Sequence, residues 1–256
     1  MGDFLKFLKN KKLIITISSI LAVLILAFTA FGIYVGDYYH ADNTAIAEFS
    51  EGWAVEAKTL SKNLLVYEAE EPIAGFIFYP GGKVEHTAYE PLMQALADRN
   101  ITCVLVKMPF NLAVFDINAA DGIKEKLPKI ENWYIGGHSL GGSMAASHVS
   151  KRDGFKGLVL LASYSTADLS RKDIYALSLF GNLDKVLNTE KYQNNKKNLP
   201  NNLMEIELRG GNHAYFGMYG EQKGDGKAEM TNEEQILLAA EEILKFVKLS
   251  LQNANF

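Results

Sequence analysis

The stretch that decides the fold is "WYIGGHSLGGSMAASHV", Trp133 to Val149. An apolar run enters a pair of glycines, a serine stands in the bend, two more glycines follow, and an alanine-rich run leads away. "NWYIGG" reads as a buried strand and "LGGSMAASHVSK" as a helix. Ser139 then falls where a strand turns sharply into a helix, and Gly137 and Gly141 stand two positions to either side of it. Residues without side chains at those two places let strand and helix backbones approach closely.

Working outward, apolar runs alternate with helical patterns. "GFIFYPGG" (75–82), "ITCVLVKMP" (101–109), "GLVLLAS" (157–163), "IYALSLFG" (174–181) and "NLMEIELRGG" (202–211) read as strands. "TAYEPLMQALADRN" reads as a helix opened by a capping box of Thr87 and Glu90, with Pro91 in its first turn. "INAADGIKEKL" (117–127) is expected to be helical, and "YQNNKKNLPNN" (192–202) a polar loop. The last helix is predicted to start near Thr231 with a second box, Thr231 and Glu234. It carries an apolar stripe through Ile236, Ala240, Ile243, Leu244, Val247 and Leu251. "AVEAKTLSKNLLVYEAEE" (54–71) reads as an antiparallel hairpin at a sheet edge. Continuous apolar strands separated by helices predict a mostly parallel sheet covered on both faces.

The amino-terminal end differs. Lys6, Lys9, Lys11 and Lys12 precede Leu13–Val35, which is 23 residues without a charge. That length crosses a hydrocarbon core of roughly 30 Å as a helix and exceeds the roughly 7–15 apolar residues of a cleaved signal. Lysines precede the span while Asp37, Asp42, Glu48 and Glu51 follow it, so the positive-inside rule places the amino terminus in the cytoplasm and the rest outside. The expected organisation is a basic segment 1–12, a membrane anchor 13–35, a tether 36–50 and a globular domain 51–256. A net charge of −4 gives no basic field for nucleic acid. The single cysteine, Cys103, excludes an intramolecular disulfide framework and a cysteine zinc cluster, and in "ITCVLVKM" it reads as a buried small hydrophobe. With no phosphate-loop or dinucleotide motif, no cofactor and no metal are expected.

The segment Gly137–His138–Ser139–Leu140–Gly141 fits the G-x-S-x-G elbow that lifts a serine hydroxyl above the carboxyl edge of a sheet. A serine needs a base, and the base needs an orienting acid. Of five histidines, His213 in "RGGNHAYF" lies just past the final strand, in the order Ser, acid, His. His40 lies beside the anchor, His148 in a helix, His86 in a loop, and His138 should point away from Ser139. Asp184 in "LSLFGNLDKV" follows the preceding strand and is the chosen acid. Asp168 and Asp173 come before that strand, and Glu205 and Glu207 lie within the last one. The Leu140 amide at the helix start is one expected oxyanion donor. Gly82 in "YPGGKVEH" is the expected second, with Lys83 as the near alternative.

On "FYPGGKVEHTAYEPL", "VKMPFNLAVF", "GGHSLGGSMAA" and "RGGNHAYFGMYGEQKGDG", residues 50–250 resemble the α/β-hydrolase superfamily, and within it the small bacterial hydrolases without a large cap, similar to dienelactone hydrolases. The similar dienelactone hydrolases use cysteine where this chain has Ser139, and "PGG" stands where "HGG" is more usual. The resemblance implies a serine hydrolase of carboxylic esters, working on a small-molecule or envelope-presented substrate. An acyltransferase using an envelope acceptor shares the same acyl-enzyme and stays open, as does a non-catalytic binding module on the same fold. The short stretch between the strands ending at Ser163 and beginning at Ile174 leaves no room for a lid domain.

Overall fold

The computed structural model describes residues 11–253. It divides into two compact units, the first ending at Tyr38 and the second beginning at Tyr39. Among the described residues of the first, a helix, α1, runs over Lys11–Gly36. None of its residues is buried, and by length and composition it can cross a membrane. Apart from Lys11 and Lys12, which open the helix, the expected basic segment 1–12 lies outside the described residues.

The second unit begins earlier than the expected boundary at residue 51. Tyr39 bridges Val84 in parallel, and a helix, α2 (Asn43–Ser50), is capped by the Asp42 side chain and buries Ile46. The expected tether 36–50 is therefore folded from Tyr39 onward, because apolar side chains at regular spacing give the segment a face to bury.

Eight strands follow: β1 (Lys58–Ser61), β2 (Leu64–Tyr67), β3 (Ala74–Tyr79), β4 (Ile101–Val106), β5 (Trp133–His138), β6 (Gly157–Leu161), β7 (Tyr175–Gly181) and β8 (Asn202–Leu208). They form one sheet in the order β1-β2-β4-β3-β5-β6-β7-β8. The β1–β2 hairpin is antiparallel and joins β4 antiparallel, while β4 to β8 are parallel. Among the described residues the further α-helices are α3 (Glu90–Ala97), α4 (Ile123–Lys126), α5 (Leu140–Ser150), α6 (Thr189–Asn195) and α7 (Asn232–Asn253).

Alternation along the strands sorts side chains onto two covered faces. Phe76, Phe78, Cys103, Leu105, Tyr134 and Val159 pack under α3 and α7. Ile77, Tyr79, Val104, Ile135, Leu158 and Leu160 pack under α5, against Ala145, Ala146 and Val149. β3, β4, β5 and β6 are buried at every position, which is why they read as unbroken runs, whereas β8 is partly exposed and carries Glu205 and Glu207. Each fully buried large side chain contributes about 1.5–3 kcal/mol over leaving it in water. Cys103 is buried, and burial raises its thiol pKa well above the usual value.

Helix α7 opens with the expected capping box: the Thr231 N–H donates to Glu234 Oε2 at 2.9 Å, and the Glu234 N–H to Thr231 Oγ1 at 3.2 Å. The box expected at Thr87 does not form. His86–Tyr89 is a 3-10 turn, and α3 starts at Glu90 with Tyr89 in the capping position. The Tyr89 side chain is fully buried and bound through its hydroxyl to the Gly81 N–H, so a tertiary anchor sets the start of α3. The helix expected over 117–127 shrinks to α4, because Gly122 takes a left-handed conformation (φ 76°) just before it. The loop expected over 192–202 instead holds most of α6, capped by Asn188 Oδ1, and a further 3-10 turn. Among the described residues, 162–174 link β6 to β7 with no helix or strand of their own.

Candidate functional site

The chain leaves β3 toward β4 on one side and leaves β5 toward β6 on the other. Connections that diverge at the carboxyl edge open a crevice between the two strands, where ligands bind in sheets of this kind. Ser139 stands at that edge with φ 49° and ψ −118°, a conformation costly for a residue with a side chain. Its surroundings hold it there. The Ser139 N–H donates to Leu161 O at 2.9 Å, and the Ser139 carbonyl accepts from the Ser163 hydroxyl at 2.6 Å and from the Ser143 N–H at 3.2 Å. A methyl group on Gly141 would run into the carbonyl oxygens of Tyr79 and Pro80, so the tight bend excludes any larger residue.

Asp184 follows β7 and His213 follows β8. Asp184 Oδ2 lies 2.8 Å from His213 Nδ1, and both side chains are 2% exposed. Asp184 Oδ1 accepts from the Val186 and Leu187 N–H groups, each at 2.8 Å. The carboxylate is thus fixed from three directions and fixes the imidazole in turn. In a neutral ring, a carboxylate facing Nδ1 favours the tautomer with the proton there and the lone pair on Nε2. Ser139, Leu140 and His213 line one cleft of about 240 Å³, together with Ser143, Tyr164, Val186 and Leu187.

Leu140 is the first residue of α5, where an N–H has no partner within the helix. Gly82 lies against it: a Cβ on Gly82 would stand 2.8 Å from Leu140 Cδ2 and 3.2 Å from Leu140 Cβ. Lys83, the near alternative, has its N–H engaged by Asn111 O at 2.8 Å.

Of the other histidines, His40, His138 and His148 do not line the cleft. His148 is buried, with Nε2 3.8 Å from Asp121 Oδ1. His40 is mostly exposed, 3.5 Å from Glu85. His138 is buried under His213, with ring centroids 4.6 Å apart, and its Nδ1 shares a hydrogen bond of 2.8 Å with the Tyr89 hydroxyl. Burial, and next the neighbouring His213, push the His138 pKa well below its usual value, so the ring stays neutral. Asp168 instead bonds Ser170, and Glu205 bonds Tyr192 and Lys196.

Sequence reasoning missed the residues that tie the His213 loop down. Asp225 Oδ2 accepts from the Ala214 N–H at 2.9 Å, while Oδ1 accepts from Lys185 at 3.2 Å and Gly226 at 2.7 Å. One carboxylate therefore joins the residue after His213 to the residue after Asp184. Asn212 and Gln235 bond each other reciprocally: the Asn212 N–H donates to Gln235 Oε1 at 3.0 Å, and Gln235 Nε2 donates to Asn212 O at 2.9 Å. The "GDG" at 224–226 was a visible turn signal, but nothing local said where its carboxylate would point. Among the described residues, no group of three or more His, Cys, Asp or Glu is placed to hold a metal.

The pattern of the alpha/beta hydrolase family matches residues 75–237, well over half of the chain. A search of curated proteins by sequence finds no match. Solved structures share the fold at low identity. A predicted CIB-like hydrolase from Thermoplasma acidophilum matches at 12% identity and a TM-score of 0.53, over 76% of this chain and 100% of its own. Est1E from Butyrivibrio proteoclasticus matches at 14% and 0.54, over 76% and 99%. Esterase 2 from Thermogutta terrifontis, solved as its adduct with tabun, matches at 14% and 0.50, over 74% and 93%. The strand order, the strained serine between β5 and α5 and the matched residues agree, and the chain belongs to the alpha/beta hydrolase family.

Proposed function

We propose that this protein is a membrane-anchored serine hydrolase whose domain faces outward and cleaves carboxylic esters. The observation that carries the reading is the buried Asp184–His213 pair, 2.8 Å apart, opening onto the same cleft as the strained Ser139. Ser139 Oγ attacks the ester carbonyl and its proton passes to His213 Nε2, while Asp184 holds Nδ1–H. The oxyanion accepts from the amides of Leu140 and Gly82. Collapse breaks the C–O bond, and the alcohol leaves with the proton from His213. Water, deprotonated by His213, then attacks the acyl-serine and frees the acid and Ser139. The cleft, with Tyr164, Val186 and Leu187 on its wall, suits a small acyl or alcohol group. The anchor reading rests on α1, and the orientation on the lysines before it and the acidic residues after it.

The test uses the full chain in detergent. Ser139→Ala should lose hydrolysis of short acyl esters by at least about 10³-fold and lose labelling by a fluorophosphonate. Retained turnover or labelling rules out Ser139 as nucleophile. Added protease should cleave the domain on intact cells, and protection until lysis would reverse the orientation.

A further inference from the structure

We infer that residues 39–42 are a strap that positions both loops of the site, so the segment following the apolar helix is part of the active machinery. The catalytic half of this inference rests on the roles proposed above for Gly82 and His213. On one side the strap holds the Gly82 loop. The Tyr39 N–H donates to Lys83 O at 2.8 Å, the Glu85 N–H donates to Tyr39 O at 2.9 Å, and the Ala41 N–H donates to Glu85 Oε2 at 3.1 Å. On the other side it holds the loop that follows His213. The Asp42 N–H donates to Met218 O at 2.9 Å, and the Lys223 N–H donates to the Tyr39 hydroxyl at 3.1 Å. The Tyr39 ring also packs on Tyr219, with centroids 5.6 Å apart.

These loops have little regular structure of their own. Among the described residues, the stretch from Pro80 to Glu85 contains no helix or strand, and the stretch from Gly217 to Met230 none either. Lys83 has φ 60°, in the left-handed region, and such a conformation persists only where its surroundings impose it. Two bonds impose it here: the Lys83 N–H to Asn111 O, and the Lys83 carbonyl from the Tyr39 N–H. The first comes from the stretch after β4 and the second from the strap. The turn fixed in this way directly follows Gly82, whose amide must point at the developing oxyanion. Tyr39 is thus a positioning residue, acting through the Lys83 carbonyl on one loop and through Lys223 and Tyr219 on the other.

The experiment compares Tyr39→Pro, Tyr39→Ala and Tyr39→Phe in the full chain in detergent. Proline removes the N–H that reaches Lys83. Alanine keeps the backbone bonds and removes the ring and hydroxyl. Phenylalanine keeps the backbone bonds and the ring and removes only the hydroxyl that accepts from Lys223. Tyr39→Pro should lower kcat about 10–100-fold with KM nearly unchanged, since a misplacement near 1 Å costs about that much. Amide exchange at Glu85 and Lys223 should speed up in the same variant. Tyr39→Ala should lose about 3–10-fold in kcat, with Tyr39→Phe recovering part of it. Should Tyr39→Pro fail to fold, the Ala and Phe pair decides: equal, wild-type kcat in both overturns the inference. Wild-type kcat in folded Tyr39→Pro overturns it too, as does unchanged exchange at both amides. A wild-type chain with neither ester turnover nor probe labelling refutes the serine-hydrolase reading instead, and the exchange data then judge the strap alone.

Discussion

Asp225→Asn should slow the reaction without altering any group that touches the substrate. The Asp225 carboxylate joins the two loops by accepting from the Ala214 N–H at 2.9 Å through one oxygen and from the Lys185 N–H at 3.2 Å through the other. Asparagine has nearly the same shape but only one acceptor oxygen, so an NH2 group must face one of the two amides. A hydrogen bond to a charged group contributes about 1.5–3 kcal/mol, and partial exposure of Asp225 puts each of these near the lower end. Losing one bond and opposing two donors should cost about 1.5–2 kcal/mol, a fall in melting temperature of about 3–8 °C for a chain of this size. The fully buried Ala214 is the amide that can least afford exchange of its partner for a donor, so the His213 loop is the one that shifts. A displacement near 1 Å at His213, the proposed base, costs about 10²-fold in kcat, with KM little changed because the cleft is lined by other residues. The assay is steady-state hydrolysis of a short acyl ester beside thermal unfolding of the same sample. A variant with kcat within twofold of wild type and an unchanged melting temperature would refute the reasoning that Asp225 sets the distance between acid and base.

Two further outcomes test other parts of the site. Gly82→Ala puts a methyl 2.8 Å from Leu140 Cδ2, which can swing aside, but also 3.2 Å from Leu140 Cβ, which cannot move far. The two proposed oxyanion donors must then part slightly, and kcat should fall about 10–100-fold with the fold retained; unaltered kcat would remove Gly82 from the proposed site. His138 is buried, beside His213, and its folded pKa is depressed. Between that depressed value and the unfolded value near 6.5 the unfolded chain binds the extra proton, so stability is full above about pH 6.5 and falls as pH drops below it. Burial lowers the pKa values of His86 and His148 as well, so they share the same slope. In denaturant titrations from pH 7 to pH 5, His138→Gln should flatten the loss by up to about 1.4 kcal/mol per pH unit, and an unchanged slope would mean that His138 charges freely in the fold.

The central strands were legible because a sheet covered on both faces demands unbroken apolar runs, and each run is short and bounded by glycine or a polar turn. Thr231 and Glu234 were legible because both halves of a capping box lie within one turn. Thr87 and Glu90 carry the same local pattern, yet Tyr89, held by Gly81 eight positions before it and by His138 forty-nine positions after it, moves the helix start past Thr87. Segments 117–127 and 36–50 were misjudged for related reasons. A left-handed Gly122 stops a helix that composition favours, and Tyr39 is drawn into the domain by a partner, Val84, that lies 45 positions later in the chain.

Within the site, the placing of Ser139 at the bend and of Leu140 at the helix start follows from the sequence by itself, since the elbow is a local strand–turn–helix device whose glycines are required by close backbone approach. Asp184 and His213 were reached through chain order, because each must leave the carboxyl end of its own parallel strand. That Asp184 and His213 meet at 2.8 Å, that Lys83 yields its amide to Asn111, and that Asp225 and Tyr39 bind the loops together were decided only by the tertiary structure. Hydrogen bonds between loops pair residues with no fixed sequence separation, so no local periodicity records them. They form only after the sheet has brought the ends of β3, β5, β7 and β8 to one edge.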